Sequence, residues 1–202
     1  MSELVVITKS IRSFIAIELP QEIIETIEKL QDRLRRYGLN IRWIRSKNIH
    51  LTLKFLGNIS EGDVTSITSV LKTIADNMAP FKLMGQGIGT FPGISHPRVV
   101  WLGMSGDVEL LKKFQLRLEE NLETLGFPKE GRPFRAHLTL GRVKGDIDKR
   151  ILLEVIEQFG NLESDSFTVN SIILFRSDLQ PNGPIYTKLA EVPFVLKSRQ
   201  DR

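Results

Sequence analysis

His50-Leu51-Thr52-Leu53 and His137-Leu138-Thr139-Leu140 are the same four residues, set 87 positions apart. On an extended strand successive side chains alternate between faces, so each His-Thr pair shares one face and each Leu-Leu pair the other. The same offset of 87 carries Phe14 onto Trp101, Pro20 onto Asp107 and Glu61 onto Asp148. A constant shift across separate features marks an internal duplication. Two copies are too few for a solenoid, so the halves are expected to pack around a pseudo-two-fold axis that brings both histidines to one cleft.

The flanking patterns fill in each half. Residues 14–18 read as a strand. Pro20 then opens a helix with Ile23, Ile24, Ile27, Leu30, Leu34 and Tyr37 on one face, stopped at Gly38. Residues 49–56 alternate as a strand, with Leu51, Leu53 and Phe55 on one side and His50, Thr52 and Lys54 on the other. Ser60 caps a second helix, and a third strand ends near Ile88. The second half repeats the order: strand 99–104, a helix capped by Asp107, strand 134–143, a helix begun at Asp148, and strand 167–175. A last strand near 185–190 has no counterpart. The glycine-rich segment 85–96 is expected to be the crossover between lobes, and His96 a turn residue.

Composition narrows the class. The chain has 202 residues, 41% of them hydrophobic and 26% charged, ordinary values for a globular protein. It has no cysteine, which excludes disulfides, thiolate metal sites and a thiol nucleophile. No apolar run approaches the roughly 20 residues of a membrane helix, and no signal-peptide pattern is present. A cytoplasmic monomer without membrane contact is expected. The net charge of +4 permits an anionic partner without demanding one.

A single histidine on a strand is most often structural, but two in equivalent places of a duplicated fold suit acid–base chemistry. An imidazole with pKa near 6.5 holds either protonation state close to neutrality. Two of them on opposite sides of a phosphorus can divide the work, one taking a proton from the nucleophile and one giving a proton to the leaving oxygen. The threonine hydroxyls can donate to the non-bridging oxygens. By parity Lys54 joins the face of His50, and Arg135 that of His137. Strict alternation turns Arg142 to the opposite face, and Gly141 is a candidate bulge that would re-aim it.

The paired motifs resemble those of the 2H phosphoesterases, in particular the LigT-like RNA 2′,3′-cyclic phosphodiesterases, also called 2′-5′ RNA ligases. The likeness extends to Arg12-Ser13-Phe14-Ile15-Ala16-Ile17, Phe91-Pro92, the stretch 134–142, and Leu174-Phe175-Arg176-Ser177 followed by Gly183 and Tyr186. Ala136 stands where many members have proline. The resemblance implies an α+β fold of two lobes, each an antiparallel sheet with two helices on its outer side, in one bilobal domain over 1–202. The lobes are expected at about 12–90 and about 98–190. It implies hydrolysis of RNA 2′,3′-cyclic phosphate ends to 2′-phosphomonoesters, and in some members joining of tRNA halves through a 2′-5′ bond. It assigns His50 as proton donor and His137 as proton acceptor, which the symmetric motif alone leaves interchangeable. Thr52, Thr139 and Arg142 would hold the phosphate, with Lys54, Arg135, Phe91 and Tyr186 as further substrate contacts and no metal or other cofactor.

Two other readings use the same residues. A relative acting on small cyclic nucleotides, such as an ADP-ribose cyclic phosphate, would keep both motifs and differ in the walls of the cleft. A non-catalytic RNA-binding module would use Phe91 and Trp43 as stacking platforms, although packing is the expected role of Trp43. It leaves the repeated His-Thr pairs unexplained.

Overall fold

The computed structural model describes residues 10–76 and 78–195. Nine strands and four α-helices lie along these residues. β1 (Ile11–Ile17), α1 (Gln21–Arg35), β2 (Ile41–Trp43), β3 (Leu51–Ile59), α2 (Glu61–Ala75) and β4 (Phe81–Phe91) make up the first half. The second half has β5 (Val99–Gly106), α3 (Val108–Glu123), β6 (His137–Val143), α4 (Lys149–Gln158), β7 (Phe167–Val169), β8 (Ser171–Asp178) and β9 (Ile185–Pro193).

The strands form two antiparallel sheets. One has the order β3-β1-β8-β9 and the other β2-β6-β5-β4-β7. Each half therefore gives its third long strand to the other half's sheet, and the contiguous lobes expected at 12–90 and 98–190 do not coincide with the sheets. For β4 the cause is local pairing: few residues separate it from β5, and strands joined by a short connection pair antiparallel with little loop entropy. Connection length does not account for β8, which follows β7 after one residue yet lies in the other sheet, beside β1 with Phe14 opposite Phe175. The glycine-rich segment is correspondingly strand as far as Phe91, not a loop. Gly89 is required there: a Cβ at this position would lie 2.2 Å from the Trp101 ring.

The helices are exchanged as well. α1 packs beside α4, where the Arg33 guanidinium lies 4.7 Å over the Phe159 ring and Tyr37 bonds Gln158. α3 packs against α2 and β3. Local signals set the helix ends. Ser60 and Asp63 form a reciprocal capping box at α2, and Asp148 accepts the Arg150 and Ile151 amides at α4. Asp107 does not cap α3; its carboxylate accepts the Lys82 amide instead and ties that helix to β4. Gly38 and Gly126, at φ of 65° and 89°, follow α1 and α3 as stops.

One continuous apolar core fills the helix-facing sides of both sheets, with Ile15, Leu51, Leu102, Leu138 and Leu140 among its most buried members. A separate small cluster of Phe14, Ala16, Ile173 and Phe175 covers the opposite face of the four-stranded sheet. The sheets approach each other where β3 meets β6, so the two HLTL strands are neighbours.

Candidate active site

The two motifs are built alike down to a shared irregularity. In the β1–β3 ladder Ala16 pairs with Thr52 and Ile15 with Lys54, so Leu53 is an extra residue. In the β5–β6 ladder Trp101 pairs with Thr139 and Val100 with Gly141, so Leu140 is the extra residue. An inserted residue reverses the alternation beyond it. Arg142 therefore shares the face of His137 and Thr139, as the bulge reading required, with the inserted residue one position earlier than Gly141.

The same bulge overturns the expectation for Lys54. It turns Lys54 into the core, where the side chain is 2% exposed and its Nζ lies 2.5 Å from Glu119 Oε2. Phe55, expected in the core, is 62% exposed and sits on the histidine side with its ring 6.3 Å from that of Phe14.

Each imidazole rests on aromatic rings. His50 stacks on Phe14 at 4.6 Å and meets the ring of Tyr186 edge-on at 5.1 Å. His137 meets Phe91 edge-on at 4.9 Å and Trp101 at 6.5 Å. The Arg135 guanidinium lies 5.9 Å from the Phe91 centroid, so Phe91, Arg135 and Tyr186 all stand beside a histidine. Trp43, opposite Gly141 on β2, packs against the core as expected.

The protonation pattern of the rings follows from their partners. His50 Nδ1 lies 2.9 Å from the Asn48 carbonyl, and His137 Nδ1 lies 2.7 Å from the Arg135 carbonyl. A carbonyl only accepts, so Nδ1 carries the hydrogen in both rings. Each Nε2 is then the atom that takes or gives a proton. Burial against the rings pushes the pKa of His50 from 6.5 down to about 4, with the Asn48 bond opposing. Burial lowers that of His137 too, against the Arg135 bond.

A depressed imidazole pKa makes stability depend on pH. Between about 6.5 and about 4 the unfolded chain binds a proton at residue 50 that the folded protein refuses. Stability present above this window is therefore lost as pH falls through it, by up to about 3 kcal/mol from this residue. His50→Gln should lack that share. Denaturant unfolding at pH 7 and pH 4.5 should show the gap between wild type and variant narrowing at the lower pH, and a constant gap would mean an undepressed imidazole.

Other arginines border the same space, among them Arg42 and Arg45, which no motif in the sequence marks. Arg42 pairs with Arg142 across β2 and β6. Arg142 and Arg12 both act electrostatically on Tyr186, whose pKa is raised by burial against their opposing effect. Because Tyr186 touches His50, the charge of Arg142 on the His137 strand is felt on the His50 side. Beside His50 a cavity of about 290 Å³ is lined by Arg45, Lys47, Phe175 and Tyr186. One signal for this floor was in the sequence, since the offset that aligns the histidines also aligns Phe14 with Trp101 beneath them.

The LigT like Phosphoesterase family profile matches the chain twice, over residues 17–101 and 102–186, one match per half. The chain belongs to the LigT-like phosphoesterases. An RNA 2′,3′-cyclic phosphodiesterase of Methanothermobacter thermautotrophicus is 35% identical over 179 residues, spanning 89% of this chain and 96% of that protein. One from Thermotoga maritima is 34% identical over 184 residues, spanning 91% and 95%. Among crystal structures, one from Thermus thermophilus superposes with a TM-score of 0.74 at 26% identity, covering 91% of this chain and 97% of the other. Escherichia coli LigT complexed with 3′-AMP gives 0.72 at 25%, covering 92% and 99%. The duplicated two-lobed α+β architecture is thus that of the family.

Proposed function

We propose that the protein opens the 2′,3′-cyclic phosphate at an RNA end to a 2′-phosphomonoester by metal-independent acid–base catalysis. The observation that carries this reading is the equivalence of the two imidazoles. Each has Nδ1 committed to the carbonyl two residues back, which leaves Nε2 of both as the proton-transferring atom on neighbouring strands.

Water attacks phosphorus as His137 Nε2 removes its proton. The bond from phosphorus to the 3′-oxygen breaks, and His50 Nε2–H protonates that oxygen. The products are a 2′-phosphate and a 3′-hydroxyl. Thr52, Thr139 and Arg142 bind the non-bridging oxygens, where negative charge spreads in the transition state. His50 is depressed in the empty cleft and takes up its proton as the anionic phosphate arrives, because a nearby negative charge favours the charged imidazole. With an RNA 5′-hydroxyl in place of water, the same transfers would form a 2′-5′ bond between RNA halves.

An RNA partner is supported by charge. Among the described residues Arg12, Arg42, Arg45, Lys47, Arg135 and Arg142 lie in no ion pair, and Glu18, which lines the cavity beside Arg45 and Lys47, is paired with Lys188, so positive charge is in excess there. The names of the relatives point the same way.

The test is product analysis after incubation with chelator, using an RNA ending in a 2′,3′-cyclic phosphate and, in parallel, a cyclic mononucleotide. A 2′-phosphate, formed faster from the RNA, is expected. A 3′-phosphate, or no product without added metal, would overturn the mechanism. Preference for the mononucleotide would overturn the substrate. The kcat/KM profile should be bell-shaped, with its limits displaced to the acid side of 6.5 by the two lowered imidazoles.

A further inference from the structure

The bulges that aim the site's side chains are themselves held by buried glutamines, each from a helix of the opposite half. Gln31 of α1 is 1% exposed, a polar residue within the apolar stripe of Ile27, Leu30 and Leu34. Its Nε2 donates to the Leu140 carbonyl at 2.9 Å and the Ile44 carbonyl at 2.8 Å. Gln115 of α3 is 7% exposed, and its Nε2 donates to the Leu53 carbonyl at 3.3 Å and to Glu119 Oε1 at 2.9 Å. Within the two HLTL motifs, Leu140 and Leu53 are the residues that the ladders skip.

A skipped residue has incomplete ladder bonding, and a buried carbonyl left short of donors is costly. On β6 the Leu140 carbonyl also accepts the Ile44 amide at 2.9 Å. Gln31 thus binds both sides of the junction between β6 and the chain leaving β2. If the bulge relaxed to regular alternation, Arg142 would turn toward the helices. The residue that now faces that way is Gly141, where even a Cβ would lie 2.4 Å from Ile41 Cγ2. An arginine there has no room, so the strand would shift rather than simply rotate.

We infer that Gln31 is a positioning residue for Arg142: by holding the Leu140 bulge it fixes the guanidinium on the cleft face. Gln115 holds the matching bulge on the His50 strand. This rests on the reading of the cleft as a phosphate-binding site and adds to it a residue that touches no substrate.

The experiment is a double-mutant cycle with Gln31→Met, which keeps length and removes the donor, and Arg142→Ala. Calorimetric binding of 2′-AMP is read alongside kcat and KM for the cyclic-phosphate RNA. Arg142→Ala should weaken 2′-AMP binding about 10- to 100-fold, the usual loss for a charge-assisted bond. Gln31→Met should weaken it about 5-fold in the wild-type background and hardly at all once Arg142 is gone. Equal losses in both backgrounds would mean a general structural role and overturn the inference, as would unchanged binding by Gln31→Met. Should that variant fail to fold, Gln31→Glu takes its place. Its carboxyl loses the donor on ionising, so affinity should fall with rising pH more steeply than it does with Gln31, and the excess over Gln31 should vanish in the Arg142→Ala background. An excess that persists without Arg142 would overturn the inference. Because 2′-AMP binding needs no turnover, a protein that binds with this coupling but cleaves nothing would refute the proposed reaction and leave the positioning role standing.

Discussion

His50→Ala and His137→Ala should each lose most cleavage of the cyclic phosphate, about 10²- to 10⁴-fold in kcat, while remaining folded. In the proposed reaction each imidazole is the group in its half that moves a proton at the reacting phosphorus, and a general acid or base contributes about that factor. The double variant should fall far short of the product of the two losses, because both transfers belong to one displacement. Thr52→Ala and Thr139→Ala remove a neutral hydrogen bond and should cost less. Arg142→Ala should raise KM and lower kcat together, since its charge meets both the bound monoanion and the more charged transition state. A non-catalytic RNA-binding module predicts the reverse. RNA affinity would follow the arginines, the histidine variants would bind as well as wild type, and no variant would cleave. Cleavage at the full rate by His137→Ala would refute the mechanism.

The arrangement of aromatics gives these expectations their physical basis. Phe14, Tyr186, Phe91 and Trp101 strip water from two imidazoles and so favour their neutral forms. The arginines next to them favour an anion. An anion entering the cleft therefore changes the protonation of the site that acts on it. In the proposed reaction, substrate and proton would be taken up together.

The two HLTL motifs, the helix faces and the constant offset were legible in the sequence because each is a local pattern. Strand exchange was not. Periodicity shows that residues 81–91 and 171–178 are extended, but strands with the same alternation can pair with either sheet, and even connection length does not settle it, since β7 and β8 are one residue apart and lie in different sheets. The bulges were hidden for a related reason. A strand with one inserted residue looks like a regular strand, so strict alternation puts Lys54 and Phe55 on each other's faces, and Arg142 on the leucine face unless Gly141 intervenes. β2, three residues long, gives too short a pattern to detect, and Arg42 went unseen with it. Gly89 reads as a loop residue until Trp101 is seen occupying the space where its side chain would be.

Lys54 supplies the second large expected effect, on stability rather than on catalysis. Its ammonium is enclosed with Glu119, and it also donates to the Pro128 carbonyl at 2.8 Å. Glu119 in turn accepts from Gln115 Nε2 and from the Glu130 amide at 3.3 Å. These bonds tie β3, α3 and the segment after it into one buried network. Removing either charge leaves the other uncompensated away from water, which costs about 3–5 kcal/mol, a large part of the roughly 5–15 kcal/mol that holds a typical domain together. Glu119→Leu and Lys54→Met should each destabilise the protein by that amount in denaturant unfolding. The two substitutions together should cost clearly less than the sum of the single losses, since no lone charge remains. At temperatures where Lys54→Met is folded, it should bind 2′-AMP as wild type does, because its ammonium faces the core and not the cleft. A Lys54→Met protein of unchanged stability with weakened 2′-AMP binding would show instead that the lysine reaches the phosphate, and the bulge at Leu53 would then lose its structural meaning.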